Sequence, residues 1–170
     1  MHHDQTYQTE RLLIRPTDIE DAEFIFELLN SPKWIKYIGN REINTVADAK
    51  AYIETKMLPQ LKLLGFSNNT VIRKADNVKI GTCGLYNRVG LEGVDIGFAF
   101  LPAYEKQGYA FEAANKIKQV AIDELGITEI SGISTKDNTV SHKLLEKLGL
   151  TLKGTINLPN DNEELLHFKL

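Results

Sequence analysis

Residues 94–126, VDIGFAFLPAYEKQGYAFEAANKIKQVAIDELG, constrain this chain more than any other stretch. Val94, Ile96, Phe98 and Phe100 fall on one face of an extended strand, and Asp95, Gly97 and Ala99 on the other. One face is bulky. The other carries almost no side chain, which admits another backbone, a helix or a ligand at close range. Pro102 ends the strand. Ala110, Ala113, Ala114, Ile117, Val120, Ala121 and Leu125 then recur at helical spacing, and Gly126 closes that helix. A helix start presents unpaired backbone N–H groups, whose dipoles favour an anion by about 0.3–1 kcal/mol, or ~2 kcal/mol in a partly buried site. Gly108 and Ala110 keep the approach open. Two readings remain for this turn: an ordinary strand-to-helix connection, or a cradle for a phosphate. It is not a Walker loop, since G-x-x-x-x-G-K-[ST] does not occur, and G-x-G-x-x-G is also absent.

The flanking segments set the fold class. Residues 11–15 read as a strand ended by Pro16, and Thr17 or Asp18 can cap a helix carrying Glu20 and Asp21 in its first turn. A second helix opens at Thr45, with Asp48 three residues on, and runs towards Leu64, with Pro59 expected to kink or divide it. Residues 69–74 and 78–86 read as a hairpin, and residues 127–134 as a further strand. Asp137 or Asn138 caps a short helix that turns Val140, Leu144, Leu145 and Leu148 inward. Residues 150–158 and 164–170 form a final antiparallel pair. The resulting order, β-α-α-β-β-β-α-β-α-β-β, predicts an α+β fold: a mixed, mostly antiparallel sheet flanked by helices.

Bulk properties exclude several classes. A chain of 170 residues with 42% hydrophobic and 25% charged residues suits one domain, residues 1–170, with one sizeable core. A net charge of −3 runs against broad nucleic-acid binding. Cys83 is the one cysteine, so neither an internal disulfide nor a cysteine metal cluster is possible, and no metal site is expected. An unpaired thiol suits a reducing cytosol. The start, MHHDQTYQTERLLIRP, has no apolar segment and reads as no signal peptide; His2 and His3 receive no role. No apolar run approaches the roughly 18–20 residues of a membrane span. The expectation is a cytoplasmic protein that binds neither membrane nor nucleic acid.

Three segments carry a family resemblance. IGFAFLPAYEKQGYAFEA resembles the acetyl-CoA motif of the GNAT superfamily, [Q/R]-x-x-G-x-[G/A], with EKQGYA at 105–110 supplying its Gly and Ala. TERLLIRPTDIEDA resembles the opening of the RimJ/RimL-type branch, and DNTVSHKLLEKLGL its N-x-x-S…EK-x-G-[FL] segment. The match covers nearly the whole chain in order. The resemblance implies the GNAT fold and an acetyl-CoA-dependent N-acetyltransferase that releases coenzyme A. The acceptor is then a primary amine: a protein N-terminus, or a small molecule such as a polyamine or aminoglycoside. A non-catalytic acyl-CoA-binding module is the alternative, and a homodimer is left open.

The resemblance also implies roles. Phe98, Ala99 and Phe100 lie on the strand whose backbone pairs with the pantetheine arm. Lys106, Gln107, Gly108, Tyr109, Ala110 and Phe111 hold the pyrophosphate. Asn138 contacts the pantetheine or simply caps its helix. Ser141 donates a proton to the departing thiolate or merely stabilises the helix start; Leu145 stands where many members carry a tyrosine donor. Asp95 is a candidate base, or an exposed charge at a strand edge. His142 and Glu146 are further candidate bases, or solvent-facing residues. Glu112 matches the helix dipole. Glu105 departs from the motif's Gln or Arg and is expected to point to solvent, because a carboxylate beside a diphosphate is repelled.

Overall fold

The computed structural model describes residues 5–170; His2 and His3 lie outside them. In chain order the elements are β1 (Tyr7–Gln8), β2 (Leu12–Pro16), α1 (Ala22–Leu29), α2 (Pro32–Tyr37), α3 (Val46–Tyr52), α4 (Leu58–Leu64), β3 (Asn68–Arg73), β4 (Val78–Tyr86), β5 (Val94–Phe100), α5 (Tyr109–Asp123), β6 (Ile130–Thr135), α6 (Thr139–Lys147), β7 (Thr151–Ile156) and β8 (Leu165–Lys169). The strands form one eight-stranded sheet in the order β1-β2-β3-β4-β5-β6-β8-β7. Every neighbouring pair is antiparallel except β5 and β6, which run parallel. The expected α+β architecture is therefore the observed one.

Two elements escape the sequence reading. β1 is only two residues long and exists through its pairing with β2. α2 begins with Pro32 in its first turn, where the missing N–H costs nothing, but its mixture of basic and aromatic residues shows no apolar stripe. Pro59 does not divide the second helical region. A capping box of Thr45 and Asp48 starts α3, and the chain then widens into a π-helical turn at Ile53–Met57. Pro59 sits in the first turn of α4 just beyond it. The wider turn accommodates the lost N–H without ending the helix. Gly65, at φ 83°, stops α4 in the left-handed conformation glycine tolerates.

The sheet separates two apolar clusters. α5 and α6 bury Ala113, Ile117, Leu145 and Leu148 against one face, with Ile96 and Phe100 of β5. α1 and α3 bury Ile25, Leu28, Ala49 and Ile53 on the other side, with Ala99 of β5 packed beside them. The alternation read from β5 thus sends its bulky residues to the α5/α6 face and its small residues to the α1/α3 face.

Candidate active site at a seam in the sheet

The middle of the sheet contains an interruption. β4 and β5 pair along six residues, from Gly81↔Phe100 to Tyr86↔Asp95. On its other side β5 pairs with β6 at only two positions, Val94↔Ile130 and Asp95↔Ser131. Beyond Asp95 the strands diverge. The Val94 amide donates to the Glu129 carbonyl on the β6 side, whereas the Leu101 amide donates to Ile80 on the β4 side. Strand alternation therefore turns the backbone groups of Phe98 and Phe100 into the open seam. Ala99 is a correction: its backbone faces β4, so only its methyl group can line the site. An open seam inside a sheet leaves a row of backbone donors and acceptors that an extended amide-bearing ligand can complete.

At the wide end of the seam lies the start of α5. Gly108, at φ 83°, occupies the N-cap position and supplies no side-chain cap. Lys106, at φ 60°, is a second left-handed residue in the same turn. The first helical bond here joins the Glu112 amide to the Gly108 carbonyl, which leaves the amides of Tyr109, Ala110 and Phe111 without helical acceptors. They border a cleft of about 250 Å³ closed on its far side by α6. Three lysines, Lys106, Lys143 and Lys147, and one acidic residue, Glu105, are among its lining residues. Uncapped amides and net positive charge fit a phosphate-bearing group.

The turn is braced from behind. Arg11 bonds Glu112 at 2.7 Å through Nε and the Gln107 carbonyl at 3.0 Å through Nη1. Its guanidinium stacks 4.2 Å from the centre of the Tyr109 ring. Thr9 and the Arg11 amide also donate to Glu112. Burial raises the Glu112 pKa, but these hydrogen bonds outweigh it and hold the carboxyl below its ordinary range. Glu112 thus anchors the β1–β2 connection to α5.

On the α1/α3 face, at the closed end of the seam, sits Asp95. It is 2% exposed, which rules out the strand-edge alternative. Arg88 donates to it through Nε at 2.5 Å. Burial pushes its carboxyl up to about 6, against the pull of Arg88 and of the Ile133 amide. That value lies near neutral pH, where a group can both accept and release a proton. Beside it, Tyr86 lies across the paired glycines Gly84 and Gly97: a Cβ on Gly97 would meet the ring at 2.8 Å, and one on Gly84 the phenol oxygen at 3.0 Å. The small face of β5 thus makes room for Tyr86, whose hydroxyl donates to Asn68 Oδ1 at 2.5 Å. Sequence reading passed over Tyr86 and Arg88, because nothing local in β4 marks their approach to Asp95.

The other predicted residues divide. Lys106, Gly108, Tyr109, Ala110 and Phe111 line the cleft. Gln107 does not; its side chain donates to the Ala103 carbonyl. Asn138 is a cap, accepting from the Ser141 amide at 3.4 Å. Ser141 is partly buried, and its hydroxyl makes no hydrogen bond among the described residues. One turn further on, Leu145 is pressed against Gly132, where an added Cβ would stand 2.4 Å from Leu145 Cδ2. Ser141 stands one turn before Leu145 on the same helix face. His142 is occupied: Nε2 donates to the Thr135 carbonyl at 2.8 Å, and the ring packs on Phe168. Glu146 is exposed. Glu105 corrects the sequence expectation. It is not free in solvent but ion-paired with Lys33 of α2. Val140, Lys143, Leu144 and Lys147 form the α6 wall of the cleft; Val140, expected to turn inward, is instead 67% exposed, and the two lysines were missed from sequence. The i, i+3, i+4, i+7 spacing of the four was a visible signal, diluted by its lysines.

The sequence profile of the acetyltransferase (GNAT) domain matches residues 11–151. The chain belongs to the GNAT acetyltransferases. It is an N-acetyltransferase, in a family that uses acetyl-CoA and acetylates amines. It is 30% identical over 156 residues to the uncharacterized N-acetyltransferase p20 of Bacillus licheniformis, covering 89% of this chain and 85% of that one. A GNAT-family acetyltransferase structure from Bacillus anthracis is 26% identical and superposes with a TM-score of 0.79, covering 98% of both chains. RimL, a ribosomal L7/L12 α-N-protein acetyltransferase solved with coenzyme A, shares the fold at a TM-score of 0.83 and 12% identity, over 98% of this chain and 97% of RimL.

Proposed function

We propose that residues 1–170 act as one domain that binds acetyl-CoA in the seam and cleft and transfers its acetyl group to a primary amine presented on the α1/α3 face. The observation that carries this reading is the opening of the β5–β6 ladder after Asp95, continuous with the uncapped start of α5. The amides of Tyr109, Ala110 and Phe111 hold the diphosphate, helped by Lys106, Lys143 and Lys147. The backbone of Phe98 and Phe100 receives the pantetheine amides. Acetyl-CoA supplies an activated acyl carbon with a thiolate leaving group.

The chain's own residues supply positioning and proton handling. A protonated amine is no nucleophile, so a base must remove a proton before attack. Asp95, at about 6 and at the closed end of the seam, serves as that base, directly or through one water. Arg88 keeps its carboxylate oriented. Ser141 provides a hydroxyl proton for the leaving sulfur, since Leu145 occupies the position from which other members present a tyrosine. Holding the amine and thioester together contributes much of the acceleration without further chemistry. A protein N-terminal amine, as in the activity named for RimL, is the acceptor class we favour. The buried free thiol of Cys83 is in keeping with a cytoplasmic location.

Acetyl-CoA turnover against a panel of N-terminal peptides and small amines, followed as thiol release, tests the reading. Gly108→Glu, which places a side chain and a charge in the turn, is expected to weaken acetyl-CoA binding by well over tenfold in calorimetry. Equal affinities would refute the cradle. Ser141→Ala is expected to lower kcat at saturating acceptor by about 10²–10⁴-fold, with acetyl-CoA affinity nearly intact. Loss of stability with a normal kcat would reduce Ser141 to a helix-start residue.

A further inference from the structure

We propose that Lys33 is a cofactor-positioning residue: by neutralising Glu105 it lets the cleft at the start of α5 accept a diphosphate. This rests on the acetyl-CoA reading of the cleft. Glu105 lines that cleft together with Gly108, Ala110 and Phe111. An unpaired carboxylate there would oppose the phosphates that the amides attract. The Glu105 side chain is only 22% exposed, so water screens it incompletely. The cleft's own lysines, Lys106, Lys143 and Lys147, form no ion pair with it. Its partner is Lys33, from 72 residues earlier in the chain.

Lys33 reaches Glu105 because α2 is held in place. Pro32 starts the helix, and Ser31, 7% exposed, donates to the Leu28 carbonyl at 2.7 Å. Asn30 donates to the carbonyls of Phe26 and Ile43, tying both ends of the α2 region to the α1/α3 face. The carboxylate that stands in place of the motif's Gln or Arg is thus matched by a cation from α2. The pairing carries two consequences: the diphosphate meets a neutral pair instead of a bare charge, and the turn is tethered to the helix that borders the acceptor side.

The test is a calorimetric titration of acetyl-CoA into the parent chain, Lys33→Ala, Lys33→Arg, Glu105→Gln and the Lys33→Ala/Glu105→Gln double variant. All alter partly exposed groups, and thermal melts check that each is folded. Charge separation over several ångströms near the protein surface predicts about 5–20-fold weaker binding for Lys33→Ala, and a smaller loss at high salt. Lys33→Arg should stay within about twofold of the parent, since the charge is retained. Glu105→Gln should bind as well as the parent or better. The double variant should return to within about twofold of Glu105→Gln, because no charge then needs neutralising. Unchanged affinity in Lys33→Ala, or a double variant as weak as Lys33→Ala alone, overturns the inference while leaving the cofactor site intact. A parent chain that does not bind acetyl-CoA overturns the cofactor reading itself, and this inference with it.

Discussion

Asp21 and Asp95 are both buried aspartates, 0% and 2% exposed, yet their surroundings push them in opposite directions. Asp21 accepts two hydrogen bonds from Arg15, both 2.8 Å, and pairs with Lys79 at 2.7 Å. The Thr70 hydroxyl and the Asp18 amide complete its shell, each at 3.0 Å. Burial alone would raise its pKa, but these partners lower it well beneath the usual carboxylate range. Asp95 has Arg88 and the Ile133 amide, too little to offset burial, and its carboxyl rises to about 6. Asp21 joins the start of α1 to β2 and β3. Asp95 stands where β5 and β6 part. A saturated carboxylate is a structural clamp, whereas one left short of partners beside an open seam is poised for proton transfer.

Substitution of Asp95 by Asn should show the largest effect. We expect kcat/KM to fall by about 10²–10⁴-fold while the thermal midpoint holds or rises, since the amide removes a costly buried charge and Arg88 retains access to water. A loss under about threefold, far below the general-base range, would show that water or another group takes the amine proton. Asp21→Asn should do the reverse. It leaves Arg15 and Lys79 facing a neutral group and should destabilise the fold by about 3–5 kcal/mol in denaturant titration, with kcat of the folded fraction unchanged. Equal stability would remove the clamp from the comparison.

pH separates the two in one experiment. The native Asp95 pKa, about 6, lies above its unfolded value. Its favourable contribution is therefore fully present at low pH and is lost as pH rises through about 6. For Asp21, depressed in the native state, the contribution is present above the ordinary carboxylate range and is lost progressively as pH falls below that range towards the native value. Relative to the parent, Asp95→Asn should gain up to about 3 kcal/mol between about pH 4 and pH 7, and the activity of the parent should rise through the same window. A stability difference independent of pH would mean that Asp95 titrates normally. The smallest effect belongs to the α6 start. Asn138→Ala should cost about 1 kcal/mol of stability and leave acetyl-CoA affinity unchanged; weaker binding would restore a direct cofactor contact to Asn138.

Much of this was legible in the chain, for local reasons. The alternation of Val94 to Phe100 and the stripe from Ala110 to Leu125 are properties of successive residues, and they place a strand, a turn and a helix without reference to anything else. Capping chemistry at Thr45 and Asn138 is equally local, and the motif around Gly108 placed the family. Pro59 shows the limit: its missing N–H was visible, but the π-helical turn that absorbs it depends on how α3 and α4 pack.

Nothing in VDIGFAF says on which side its ladder continues, so the opening after Asp95 could not be read from it. Asp95 itself was either an exposed edge charge or a base. Burial beside β6, with a single arginine, removed the first reading and raised its pKa, because a pKa depends on every group within several ångströms and not on neighbours in sequence. Glu105 was an anomaly in its motif until α2 brought Lys33 against it. Periodicity and turn chemistry act between residues a few positions apart, and the sequence determined those by itself. Desolvation, ion pairing and the parting of two strands act between residues brought together only by folding, and the tertiary structure alone decided them.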